Sequence, residues 1–237
     1  DLAGNAYYGY KDGGNFYALG LPIYTKCYRA YAGVDQKTGE PLFWDRREFV
    51  NKNGQTEFEL FKTANYADAE YFVFDTSLPD VYGGFGTAIT WKGFDASVDF
   101  QYQISGQVMD GTYSGLMDIS AGHAMHVDLE NAWRADNKNT DVPRFQYGDD
   151  YMAAGSDRWL TDASYLTLAN ITLGYTLPKS ILSKVGIQKL RVYVVGDNLW
   201  TWSKRQGLDP RQSISGGNTN TYYKPIRTIS GGISVTF

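Results

Sequence analysis

Few residues of this chain have the types and spacing for chemistry. Two histidines occur, His123 and His126, in the segment HAMHVDLE with Asp128 and Glu130 close by. Residues at i and i+3 share a helix face, so the segment has the donor types of a metal site. An open catalytic zinc site presents a motif such as HExxH, and none is present. Met125, Leu129 and Trp133, spaced by four, read instead as the apolar stripe of a short helix in a long loop. Asp149 and Asp150 have the residue types of paired glycosidase carboxylates. Adjacent side chains on an irregular loop point apart, so they read as solvated. Ser-His-Asp catalysis needs a histidine held on a rigid scaffold, and both histidines lie in the loop.

Other motifs also read as structure. Gly83-Gly84-Phe85-Gly86 lacks the Lys-Ser/Thr and the following helix of a phosphate loop. It reads as a strand start where backbones approach closely. Asp35 to Glu40, DQKTGE, has too few acids at the required spacing for a calcium loop and reads as a turn. Cys27 stands alone, so an intrachain disulfide is excluded and a zinc cluster disfavoured. A net charge of −4 leaves no footprint for nucleic acid. No catalytic residue, metal or cofactor is assigned, and the chain is not read as an enzyme.

The elements that would position any site are strands. Aromatics make up 16% of the 237 residues, and 26 Gly stand against 7 Pro, a mixture that favours strands and turns. Phe94, Ala96, Val98, Phe100, Tyr102 and Ile104 alternate with Asp95, Ser97, Asp99, Gln101 and Gln103. Such a period of two puts an apolar and a polar row on opposite faces. Residues 83–91 precede them across Lys92-Gly93, a hairpin signal. Further strands are predicted near 164–177, 190–203 and 226–237, with a less regular one near 21–32. In 190–203, Tyr193, Val195 and Leu199 fall among the polar positions, so its alternation is less clean. The last strand, IRTISGGISVTF, ends on Phe237.

Mean hydropathy is −0.39, and no run nears the ~18 apolar residues of a membrane helix. Barrel strands are half polar and escape that criterion. The connections alternate long (33–82, 105–163 and 204–225) with short. With the carboxy-terminus on the periplasmic side, every long connection falls outside the cell, the asymmetry of outer-membrane barrels. The expected fold is therefore all-β. It is the carboxy-terminal segment, about six strands, of a larger transmembrane antiparallel β-barrel, since closure takes about eight strands or more. Trp91, Phe94 and Tyr175 would mark the periplasmic membrane interface, and Trp200 and Trp202 the outer one. The start, DLAGNAYYGY, carries no signal-peptide pattern. A leader was removed, or the chain begins inside a longer polypeptide.

The stretch from Asp157 to Pro210, DRWLTDASYLTLANITLGYTLPKSILSKVGIQKLRVYVVGDNLWTWSKRQGLDP, resembles the carboxy-terminal region of SusC-like (SusC/RagA) TonB-dependent transporters. AGVDQKTGEPLFW (32–44), LPDVYGGFGTAITWKGFDASVDFQY (78–102) and KPIRTISGGISVTF (224–237) extend the resemblance in the same order. It implies a 22-stranded outer-membrane barrel with a plug, in Bacteroidota. It also implies energy coupling by TonB, a SusD-like surface lipoprotein as partner, and import of oligosaccharide (glycan) or peptide. Phe237 would then be the barrel-assembly signal. No plug domain, TonB-interacting segment or carboxypeptidase-like extension is recognisable in these residues.

Within that expectation, Trp44, Trp133, Tyr147, Tyr151, Tyr222 and Tyr223 stand among polar residues of the long connections. Their rings could stack on sugar faces or peptide side chains, or pack loops against each other or the lipoprotein. Asp95, Asp99, Gln101 and Gln103 would face the lumen, lining the transport path or bonding the plug. Two rival readings stand beside import. One is a structural or adhesive outer-membrane barrel that transports nothing. The other is a secreted carbohydrate-binding β-sandwich.

Overall fold

The cleanest alternation in the sequence lies at the heart of the largest sheet. In the computed structural model, which describes residues 1–119, 124–146, 148, 151–183, 186–205, 207–218 and 225–237, Phe94–Ile104 pairs antiparallel with two neighbours. These are Val81–Trp91 and Tyr165–Thr176. Lys189–Ser203 and Thr228–Thr236 extend the sheet beyond Tyr165–Thr176. The five strands lie in chain order, each antiparallel to the next. The outer edges of Val81–Trp91 and Thr228–Thr236 carry no partner strand among the described residues.

Lys92 and Gly93 make the first turn with φ of 48° and 91°. Both positive values suit the twist of a two-residue hairpin. A Cβ on Gly93 would lie 2.7 Å from the Thr176 carbonyl oxygen, so glycine is needed for space as well. One residue interrupts the next pairing. The register of Tyr165–Thr176 slips between Leu168 and Asn170 against both neighbours. Ala169 is the extra residue against Phe94–Ile104, a β-bulge. It brings Leu166 and Leu168 onto the face of Ile171 and Leu173 despite their opposite parity. Across the slip in Lys189–Ser203, Asn198 has φ of 50°. Leu199 folds over the buried Gly196, where a Cβ would meet both its methyl groups at 2.9 Å.

The register thus sorts the side chains into two faces. One carries Phe85, Ile89, Val98, Phe100, Leu168, Leu173, Val194, Trp200, Ile229 and Ile233. It is uncovered: Phe85, Ile89, Leu173, Val194 and Ile233 are 49–68% exposed. The opposite face is polar.

The chain divides into two units. This sheet belongs to the second: Pro79–Gly106, Asp162–Gln212 and Thr221–Phe237. The first comprises Asp1–Leu78, Gln107–Thr161 and Ser213–Asn220. Its four-stranded sheet holds Gly9–Asp12, Asn15–Ala18, Thr25–Arg29 and Tyr71–Thr76. Its three-stranded sheet holds Tyr31–Val34, Pro41–Val50 and Thr56–Thr63. Met117, Leu129, Ala132, Val142, Met152 and Trp159 form its buried apolar cluster. The short helix Gly111–Leu116 lies beside it, capped by Asp110, whose Oδ1 accepts from the Tyr113 amide at 3.0 Å.

Residues 21–32 differ from the expected wall strand. Thr25–Arg29 and Tyr31–Val34 flank Ala30 and pair in separate sheets, neither of them the five-stranded one. Thr25, Lys26 and Cys27 are all buried, which a strand with one wet and one dry face does not allow. The stretch 33–82, read as a connection, contains most of a three-stranded meander.

Candidate functional site

Asp95, Asp99, Gln101 and Gln103 project from the polar face of the five-stranded sheet, by register with Gly174, Asn170, Thr167 and Tyr165. Asp95 is held by Arg191 in a two-pronged bond, with Nε donating to Oδ1 at 3.0 Å and Nη2 to Oδ2. Gly174 leaves room between them, for a Cβ there would come within 2.6 Å of both groups. The Arg191 guanidinium also lies over the Tyr193 ring at 4.8 Å. Tyr193 in turn covers Gly232, where a Cβ would stand 2.5 Å from the ring. Further along, Asn170 Nδ2 donates to Asp197 at 2.7 Å, and Thr172 donates to Asn170 Oδ1 at 3.0 Å. The Thr167 and Thr201 hydroxyls bond at 3.1 Å. Gln103 Nε2 donates to the Ser105 carbonyl at 3.3 Å. Among the described residues this surface pairs no nucleophile with a base. Its donors and acceptors can bind and guide polar groups.

The aromatics singled out on this sheet occupy its two ends, on the apolar face. Trp91 pairs with Phe94 next to the turn, and the Phe94 and Tyr175 rings stand 4.4 Å apart. Lys92 places its ammonium 5.0 Å above the Trp91 ring. Trp200 and Trp202, at the other end, pair with Leu168 and Leu166 and are half exposed. Phe237 follows Thr228–Thr236 and is exposed.

In the first unit the predicted aromatics separate. Trp44, on Pro41–Val50, lies under the Lys62 ammonium at 5.0 Å. Trp133 lies on the 35–40 turn. Its Nε1 donates to the Gln36 carbonyl at 3.3 Å, and a Cβ on Gly39 would meet its ring at 2.5 Å. Arg144 ties the same turn, donating to Thr38 O at 2.7 Å and to Glu40. DQKTGE is thus a turn, and Asp35 Oδ1 accepts the Lys37 and Thr38 amides. Those two bonds hold the Asp35 carboxyl below its usual range. Tyr151 is exposed and packs on Tyr66, with centroids 5.5 Å apart. Tyr66 itself packs on Phe43 and lies under Arg29 at 4.3 Å. Sequence reading missed Tyr66 and Arg29, because a ring-on-guanidinium stack has no periodicity. Tyr147, Tyr222 and Tyr223 lie outside the described residues, as do His123, Asp149 and Asp150.

His126 serves structure. Its Nδ1 accepts the Asp128 amide at 3.1 Å and caps the short 3-10 helix Val127–Asn131. Its ring meets Tyr113 edge-on. Of the expected stripe, Leu129 is buried while Met125 is exposed. No metal-competent cluster occurs among the described residues.

No family model matches the chain. Individual proteins do. TonB-dependent receptor P3 of Formosa agariphila is 30% identical over 98% of this chain and 22% of its own length. TonB-dependent receptor SusC of Bacteroides thetaiotaomicron is 27% identical over 87% of this chain and 19% of its own length. Among solved structures, the RagAB peptide transporter superposes with a TM-score of 0.74 at 28% identity, over 97% of this chain and 24% of the matched one. The RagAB peptide importer in its closed-closed state gives 0.75 at 29%, over 99% and 25%. The chain belongs to the SusC/RagA-like TonB-dependent receptors, and it spans a quarter or less of the length of these relatives. The family is one of transporters, not enzymes, of the Gram-negative outer membrane.

Proposed function

We propose that these residues supply wall strands and external structure to a plugged 22-stranded barrel that imports oligosaccharide or peptide. The observation that carries this reading is the uncovered apolar face of the five-stranded sheet, set against a polar face of the same strands. Lipid on one side and a polar lumen on the other are the environments such strands suit. A sandwich would cover the apolar face with a second sheet. In this reading Asp95, Asp99, Gln101 and Gln103 face the lumen or the plug. Trp91, Phe94 and Tyr175 meet the periplasmic interface, Trp200 and Trp202 the outer one, and Phe237 guides assembly. Cargo is trapped beneath a SusD-like lipoprotein, and TonB pulls on the plug to release it. Tyr151 on Tyr66 is the favoured ring platform for cargo, while Trp133 serves the packing of its turn.

The test is purification of the full polypeptide carrying these residues from detergent-solubilised outer membranes. Expected are an intact mass several times 26.5 kDa, a co-purifying lipoprotein, and saturable binding of a glycan or peptide panel. A detergent-independent soluble product overturns the barrel. A barrel with neither plug nor cargo binding overturns import in favour of a structural or adhesive role.

A further inference from the structure

One face of the four-stranded sheet in the first unit is hollow. Strand alternation and register put Lys11, Phe16, Cys27, Tyr71 and Val73 on that face, where they line a cavity of about 410 Å³. Tyr7 and the Arg46–Glu70 pair line it as well. Gly9 gives the Phe16 ring its place across the first strand, for a Cβ there would stand 3.0 Å from that ring and 2.2 Å from the Tyr17 carbonyl oxygen.

The cavity has an apolar floor and a charged rim. Phe16, Val73 and the buried Cys27 make the floor. On the rim, Arg46 and Glu70 hold each other at 2.7 Å, and the Asp1 carboxylate accepts from Asn5 and Tyr7. Lys11 is exposed, places its ammonium 4.4 Å from the Tyr71 ring centroid, and has no ion pair among the described residues. Asp12, next in the strand, alternates to the other face. An apolar floor beside an available ammonium suits the last residue of a peptide, which carries a side chain and an α-carboxylate on one carbon. Sugar hydroxyls would find no partner on that floor, and burying them unpaired is costly.

The cavity also leads toward the ring platform. The Arg29 guanidinium lies 4.4 Å from the Tyr71 ring and 4.3 Å from the Tyr66 ring that carries Tyr151. Arg29 itself is engaged, donating to the Ala69 and Ala67 carbonyls and the Tyr71 hydroxyl.

We propose that this cavity takes the carboxy-terminal residue of a peptide, with an apolar side chain on Phe16, Cys27 and Val73 and the α-carboxylate on the Lys11 ammonium. The assignment rests on the import reading and narrows its cargo to peptides with a free, apolar carboxy-terminus.

The experiment is calorimetry on the full-length receptor purified from outer membranes. The probes are an amino-acetylated hexapeptide ending in leucine, the same peptide with an amidated carboxy-terminus, and a neutral hexasaccharide. The free acid binds saturably, and amidation weakens it about ten-fold, the worth of one charge-assisted hydrogen bond. Lys11→Ala binds acid and amide alike, while Lys11→Arg keeps the preference for the acid. Heat-dependent gel mobility checks that each variant remains a folded barrel. Equal binding of acid and amide by the wild type overturns the proposal. So does an undiminished preference for the acid in Lys11→Ala, which would put the carboxylate elsewhere. Failure of both peptides to bind overturns it too, and saturable binding of the hexasaccharide then leaves import standing. A full polypeptide without a plug would instead overturn import itself, whatever the peptides do.

Discussion

Arg191 reaches across the intervening strand to hold both carboxylate oxygens of Asp95, through a gap that Gly174 leaves open. The bond joins two strands that do not pair with each other, so it braces three strands at once. Asp95→Asn leaves Arg191 without its counter-charge and should lower the thermal midpoint of the full receptor. Arg191→Lys should not restore it, since an ammonium lacks the two-pronged geometry. A double-mutant cycle on Asp95→Asn and Arg191→Gln should give a non-zero coupling. Strict additivity would mean that the pair contributes nothing.

The two faces of the sheet should respond oppositely to charge. Val194 lies on the exposed apolar face, and Ser230 on the polar one. A lysine on the lipid side near mid-membrane costs about 2–4 kcal/mol. Val194→Lys should therefore reduce stability in lipid vesicles by that order, whereas Ser230→Lys should change it little. Equal effects, read from denaturant unfolding, would contradict the assignment of faces.

Much of this sheet was legible from period two alone. Phe94–Ile104 and its hairpin partner needed no further information, because their rows stay in phase. Tyr165–Thr176 was legible only after Asn170: one extra residue at Ala169 shifts the phase, and composition gives no warning of that. Arg191 and Asp197 were visible as polar positions, but their partners emerge only once register is known. The first unit was the least legible. Its strands are short and irregularly buried, with Thr25, Lys26 and Cys27 inside together, so tertiary packing overrides any periodicity.

Gly39 has φ of 78° and lies under the Trp133 ring. Gly39→Ala would add both backbone strain and a methyl in contact with that ring. A cost of about 1–3 kcal/mol is expected. Protease sensitivity of the 35–40 turn should rise, and an unchanged digestion pattern would count against the packing described.

Lys26 is buried, with no carboxylate partner among the described residues. Its ammonium donates to Asn15 Oδ1 at 3.0 Å and to the Ser215 carbonyl. Burial lowers its pKa to about 8 from the ordinary 10.5. Between those values the unfolded chain holds the proton that the folded one has released, so this group's contribution to stability rises with pH. Below about pH 8 both forms are charged and the contribution is flat. The difference in thermal midpoint between wild type and Lys26→Met, followed from pH 7 to 10, should therefore vary in favour of the wild type as pH rises. A constant difference would show that the amine titrates normally.

Tyr151 is exposed and packs on the Tyr66 ring. Tyr151→Ala should weaken cargo affinity by about 1 kcal/mol in calorimetry, as loss of one ring contact does. Trp133→Ala should instead reduce stability. The reverse pattern would move the platform to Trp133.

The two edges of the five-stranded sheet that carry no partner strand among the described residues have a practical consequence. In hydrocarbon each free amide and carbonyl costs several kcal/mol, so neither edge can remain bare. These residues should behave as one piece of a split protein. Made alone, they should self-associate through those edges. Made together with a separately expressed remainder of the receptor, they should reconstitute a detergent-stable whole, and a reporter divided between the two pieces would light only when both seams are joined.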